Sequence, residues 1–252
     1  MTGNSLVHES LPHTRFRGGL GIKTIVAIPD LHCPFQHKFA FDFIFDLLHT
    51  YSPDIVINQG DELDMHAYSR YEADSDGMGA WTEFEMGVEA LSTMYTIKNM
   101  KICHSNHTTR PLKKIKTAGV PSKFMKSIKE LLGCPKGWEW ADKWVVDGTT
   151  FIHGEGFSGV RGALTAAECY NTNVVIGHLH SHAGIQYSAS FGTQVWGANA
   201  GCLIDVEAYA FSYAKYAKHK PVLGAILIKD GTPQFIPLRL SKSGRTYICL
   251  RK

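Results

Sequence analysis

Five short apolar runs in this chain each break off into the same kind of polar cluster, and that recurrence restricts the fold more than any other feature. Residues 22–28 lead to Asp30-Leu31-His32, 54–58 to Gly60-Asp61-Glu62-Leu63-Asp64, and 100–104 to Ser105-Asn106-His107. Residues 149–152 lead to His153-Gly154, and 173–176 to Gly177-His178-Leu179-His180. Short β-rich runs bounded by Gly, Asp and Asn read as buried strands ending in loops. Between the first two, Phe39, Phe43 and Leu47, with Ala40, Ile44 and Leu48, recur at helical spacing until Ser52-Pro53 interrupts them. A strand, a helix and a second strand within about forty residues have the length that a parallel crossover needs. The chain therefore reads as α/β with an at least partly parallel sheet.

The alternation continues with a polar loop over 66–79, a helix over 80–98 and the strand at 100–104. A basic insertion at about 109–135 carries Arg110, Lys113, Lys114, Lys116, Lys123, Lys126 and Lys129, with a helix expected over 122–132 after Pro121. Trp138, Trp140 and Trp144 stand at even spacing and are expected to fill one face of a strand. A helix over 163–170 follows, then strands over 184–190, 194–198, 222–228 and 234–238, with Lys229-Asp230-Gly231-Thr232 as a hairpin turn. Residues 1–21 show no periodicity and read as a loose N-terminal extension, and no linker divides 22–252, which is expected to form a single domain.

Composition excludes several classes. With 44% hydrophobic and 19% charged residues and no apolar run near the ~18 residues of a membrane span, neither a disordered chain nor a transmembrane one is expected. Lys and Arg number 26 against 23 acids, too slight an excess to argue for nucleic-acid binding by overall charge. The six cysteines lie singly along the chain, which suits neither a disulfide framework nor a thiolate zinc site. The first twenty residues lack the apolar core of a secretory signal, so a cytoplasmic location is expected.

In an open α/β sheet the ligand crevice lies beyond the carboxyl ends of the strands, so residues spread over 150 positions can meet there. In extended chain, Asp30 and His32 at i, i+2 point the same way, as do His178 and His180. Carboxylate and imidazole without thiolate suit manganese, iron or zinc better than magnesium or calcium. Each fragment alone is commonplace; five in order are not.

The ordered set D-x-H, G-D-x-x-D, N-H, H and G-H-x-H resembles the calcineurin-like metallophosphoesterase superfamily, over about 60% of the chain from Asp30 to His180. The resemblance implies a four-layer α/β/β/α sandwich with mixed sheets and a centre of two divalent metal ions, most readily manganese, with iron or zinc as alternatives. Asp30, His32 and His180 would hold the first ion, Asn106, His153 and His178 the second, and Asp61 would bridge both. It further implies hydrolysis of phosphate esters by attack of a metal-bridging hydroxide, two cations about 3.5–4 Å apart lowering the pKa of the shared water. His107 would be the general acid and Asp64 would orient it. Ser105 stands where glycine is usual and Thr108 where an acid is usual, which brings the support of His107 into question. Cys33 follows His32 where glycine is common and reads as packing. Met65 stands where the serine/threonine protein phosphatases carry arginine, which counts against that branch.

Arg70 and Arg110 are candidate phosphate contacts. The expected partner is a phosphate-ester substrate, with a lean toward nucleotide or nucleic-acid phosphodiesters that rests on the cationic insertion and on a resemblance to compact bacterial and phage members. The alternatives are a phosphomonoesterase, including a protein phosphatase, and a metal-bearing interaction scaffold without catalysis. No membrane partner is expected, and no oligomeric state follows from the sequence.

Overall fold

The computed structural model describes residues 24–69, 77–208 and 220–250. The expected extension over 1–21, and Arg70, lie outside these residues. Within them, alternate positions along each strand face different layers, and that alternation builds the molecule.

The first sheet orders six strands as β11 (Thr232–Pro237), β10 (Gly224–Lys229), β1 (Thr24–Ile28), β2 (Ile55–Asn58), β3 (Asn99–Cys103) and β4 (Gly137–Ala141). Strands β1 to β4 run parallel, and the β10–β11 hairpin joins antiparallel to β1. The second sheet orders β5 (Trp144–Val146), β6 (Thr149–Ile152), β7 (Asn173–Ile176), β9 (Thr193–Asn199) and β8 (Gly184–Ser190). Its three inner strands are parallel and its two edges antiparallel, so both sheets are mixed.

Val26 and Ile28 of β1 pack with Phe43, Ile44 and Leu47 of α1 (Ala40–Tyr51) and Leu91 of α2 (Ala80–Ser92), forming the outer core of the first sheet. Ile25 and Ala27 face the other way, with Ile57 and Cys103, against Phe151, Val175, Trp196 and Ala198 of the second sheet. On the far side Val174 and Ile176 of β7 cluster with Ala163, Ala166 and Ala167 of α5 (Gly162–Tyr170). The order of layers is therefore α/β/β/α, as the resemblance implied. Gly197 of β9 lets α5 approach the same sheet closely, because a Cβ there would run into the backbone of Ala163 and Leu164.

The β10–β11 turn is the expected one: Lys229 pairs with Thr232, and Asp230 and Gly231 have φ of 53° and 73°, the two positive values of a type I′ turn. Other elements differ from expectation. The helix beginning at Ala80 ends at Ser92 and continues as a 3₁₀ segment, Thr93–Thr96. In the basic insertion a helix forms earlier than expected, α3 (Arg110–Thr117), with Pro111 in its first turn. The helix expected over 122–132 resolves into a 3₁₀ turn, Ser122–Phe124, and the short α4 (Ile128–Leu132), whose start is fixed by a capping box between Ser127 and Glu130. The tryptophans do not share one face. Trp138 and Trp140 join the outer core of the first sheet, but the chain changes sheets between β4 and β5, which carries Trp144 to the core between the sheets.

Candidate metal centre

The carboxyl ends of strands from both sheets supply the polar groups. Asp30 and His32 follow β1, Asp61 and Asp64 follow β2, and Asn106 and His107 follow β3, all in the first sheet. His153 follows β6, and His178 and His180 follow β7, in the second. The connecting loops are tied together through the backbone. His32 N donates to Asp61 O at 2.8 Å and Gly177 N to His153 O at 2.9 Å, while His178 N donates to the Asp30 carboxylate at 2.8 Å and so spans the sheets.

His32, Asp61 and His178 have φ of 52°, 49° and 64°, the left-handed region that a residue with a Cβ seldom occupies. Such conformations persist where the surroundings over-determine them, and they gather at functional sites. They also replace the extended-chain geometry expected for the D-x-H and H-x-H pairs: the backbone turns at the histidine, and the side chains converge for that reason. Two glycines make room. A Cβ on Gly177 would collide with Asp30 Oδ1, and one on Gly60, at φ 98°, would stand 2.6 Å from Ser105 Cβ.

Among the described residues three groups could hold a metal ion: two contain the expected ligands, the first Asp30, His32, Asp61 and His180 and the second Asp61, His153 and His178, and beside them stand His32, Asp64 and His107. Asn106 Oδ1 lies 2.8 Å from His153 Nε2, which brings it to the second group. The structure thus gathers all seven residues named from the sequence, divides His178 from His180, and makes Asp61 common to both groups. Asp61 Oδ1 accepts from the backbone N–H of His107 at 2.9 Å, whereas Oδ2 lies 3.6 Å from His32 Nε2, beyond hydrogen-bond reach, and 3.3 Å from His153 Nε2, out of alignment for a hydrogen bond.

This donor set fits divalent cations. Asp30 Oδ1 and Asp61 Oδ2 are buried without a hydrogen-bond partner, and in each group imidazole nitrogens approach one another, at 3.1 Å for His32 and His180 and 3.2 Å for His153 and His178. A buried orphaned oxygen such as Asp61 Oδ2, with ring nitrogens of both groups around it, is costly unless a cation lies between them. The tautomers are set from behind: the other nitrogen of His153 lies 2.9 Å from the Gln59 carbonyl, and that of His32 lies 2.5 Å from Asp64 Oδ1, so each directs Nε2 inward.

Beside the two groups, His107 Nδ1 lies 2.9 Å from both Oδ1 and the backbone carbonyl of Asp64. Burial would lower the pKa of His107, but the Asp61 and Asp64 carboxylates outweigh it and raise the value. Burial would likewise raise Asp61, yet His153, His107 and His32 hold it well below the ordinary carboxylate range. Asp64 is also held down, against burial, by its hydrogen bonds to His107 and His32. His153 is lifted to about 9, the Asp61 charge overcoming desolvation, while burial and neighbouring imidazoles lower His32 and His178.

Arg110 opens α3 with its Nη2 2.8 Å from His107 Nε2 and its Nη1 donating to Asp64 O at 3.2 Å. The expected candidate phosphate contact therefore touches the nitrogen of His107 that faces outward from Asp64. Ser105 and Thr108, the departures from the family pattern, brace the neighbouring turn: Ser105 Oγ accepts from Asp61 N at 2.8 Å and Thr108 Oγ1 from Leu63 N at 3.3 Å. Support for His107 comes from Asp64. Cys33 is buried in the outer core, where burial pushes its thiol up.

Two supporting residues have no signal in a motif. Glu83, buried on α2, accepts from the backbone N–H groups of His66 and Ala67 and so holds the loop after Asp64. Asn199, ending β9, donates to Leu179 O and accepts from Gly201 N, fixing the loop between His178 and His180. Local sequence points to neither, because the partners of both come from distant segments.

No family model matches the chain, and no curated protein matches it. Solved structures do. Vacuolar Protein Sorting 29 from Cryptosporidium parvum is similar at 15% identity and TM-score 0.41, over 85% of this chain and 95% of that one. The Escherichia coli phosphoesterase YfcE is similar at 9% identity and TM-score 0.42, over 90% and 100% of the two chains. The Pseudomonas putida nuclease MPE is similar at 13% identity and TM-score 0.35, over 85% and 86%.

Proposed function

We propose that this chain is a dinuclear metal-dependent phosphoesterase acting on phosphodiesters of nucleotides or nucleic acid. The observation that carries the reading is Asp61, one carboxylate shared by two histidine-aspartate groups with a histidine-aspartate pair beside them. Asp30, His32 and His180 would hold one ion, Asn106, His153 and His178 the other, and Asp61 both. Manganese suits this mixture of oxygen and imidazole donors, with iron or zinc as alternatives. Two divalent cations, when bound, supply Lewis acidity to phosphate oxygens and lower the pKa of water toward neutrality.

The protein's own groups do the rest. Asp64 holds His107 by Nδ1, which leaves Nε2 to carry a proton to a leaving oxygen. Arg110 supplies N–H donors at the same nitrogen. A phosphate oxygen that draws the guanidinium to itself would free Nε2 and be gripped in the same movement. Six free cysteines, three of them buried, suit a reducing compartment and support a cytoplasmic location.

The test compares bis-p-nitrophenyl phosphate with p-nitrophenyl phosphate after chelation and resupply of manganese. Metal-dependent hydrolysis preferring the diester is expected. Preference for the monoester would reassign the chain to the phosphomonoesterases, and no hydrolysis of either would overturn the proposal.

A further inference from the structure

The basic insertion concentrates charge in a way that the whole chain does not. Residues 109–129 contain seven of the 26 lysines and arginines and no acid, so the rest of the chain holds 19 against 23 acids. That cationic stretch begins at the metal centre, since Arg110 touches His107. Lys113 reaches Glu155, two residues past His153, at 4.0 Å, and Lys114 stands 5.7 Å over the ring of Tyr68, four residues past Asp64. The start of α3 thus lies beside loops on two sides of the centre.

The rest of the segment is exposed, and it is not polar throughout. Ile115 and Val120 are each 38% exposed and Phe124 78% exposed, interleaved with Lys116 and Lys123. Phe124, in the 3₁₀ turn beyond α3, thus offers an accessible aromatic ring beside the lysines. Lysines alternating with an accessible aromatic ring are what a nucleic-acid strand uses, phosphates against the ammonium groups and a base against the ring. A small phosphodiester would be satisfied by Arg110 and the cations alone; only a polyanion could use charges farther along the helix.

We infer that α3 and the segment running on to Phe124 form a track for a single polynucleotide strand, which delivers one of its phosphates to the dinuclear centre. The inference rests on the phosphodiesterase reading and narrows it to a polymeric substrate.

The test measures kcat/KM for a single-stranded oligonucleotide relative to bis-p-nitrophenyl phosphate, over a range of salt, in the manganese-loaded full chain. In Lys113→Glu/Lys114→Glu/Lys116→Glu the ratio should fall by about tenfold or more. The slope of log(kcat/KM) against log salt should flatten by about two, given roughly 0.7 for each phosphate that a lysine no longer neutralises. Phe124→Ala should lower the same ratio without changing that slope. If the triple variant does not fold, Lys116→Gln combined with Phe124→Ala is measured in the same way and should lower the ratio too. An unchanged ratio in these variants would overturn the inference, as would a wild-type protein that hydrolyses bis-p-nitrophenyl phosphate but not the oligonucleotide. So would competition by poly-glutamate equal to that by a non-cleaved oligonucleotide, which would point to an acidic protein. Failure to hydrolyse bis-p-nitrophenyl phosphate at all would instead sink the underlying phosphoesterase reading.

Discussion

Oδ1 of Asp64 stands 2.5 Å from His32 Nδ1 and 2.9 Å from His107 Nδ1, so one oxygen orients both a metal-facing imidazole and the proposed acid. Substitutions separate the two duties. His107→Ala should retain metal and lose turnover by about 10²–10⁴. Asp64→Asn should lose turnover as well and, in addition, weaken metal binding by about 10–100-fold through His32. Metal content by elemental analysis, read beside turnover, distinguishes them; metal loss in His107→Ala would make that residue a ligand. His153 gives a pH signature. Its pKa is raised from 6.5 to about 9, so in chelated protein its contribution to stability is complete below 6.5 and is lost as pH rises through about 9. A ligand must shed that proton, so manganese affinity should strengthen over the same window, with proton release visible by calorimetry in buffers of different ionisation heat. Absence of release would exclude His153 as a ligand. At this scale, Asp30, His32 and the rest of the proposed ligands were legible because each follows an apolar run. The grip of Arg110 on His107 was not, because it depends on where a long side chain comes to rest.

The elements show why some boundaries could be read and others not. Strand β7 and the β10–β11 turn carry strong local signals, β-branched runs and an Asp-Gly pair, and these survive into the fold. Helix α3 has few apolar residues to display a period, and its Pro111 looks like a breaker although it sits in the first turn, where proline is tolerated. Helix α1 shows a dependence no local pattern contains: its buried Asp46 accepts from Tyr247 Oη at 2.8 Å and from Leu250 N at 2.6 Å, from the far end of the chain. Asp46→Asn should lower stability by about 1–3 kcal/mol, since the amide accepts less strongly and one buried group is left without its partner. Urea unfolding would measure it, and an unchanged midpoint would deny the interaction any weight.

For the molecule as a whole, the assignment of strands to sheets was the least accessible feature. Trp140 and Trp144 are near neighbours in the chain yet belong to different sheets, and only packing decides this. What the motifs did carry was the meeting point, because groups following β1, β2 and β3 must face those following β6 and β7 if they are to share anything. Manganese at about one hundred times its Kd should stabilise the protein by about 2.7 kcal/mol for each site filled, read as a rise in Tm. Asp61→Ala should abolish the rise, and a wild-type Tm indifferent to manganese would count against the centre. Since each sheet contributes donors to the centre, the ions would act as rivets through a seam. Shear between the two halves would be felt first as leakage of metal. Stripping the ions should then hasten amide exchange along β1 and β7 well before the outer helices α1, α2 and α5 loosen.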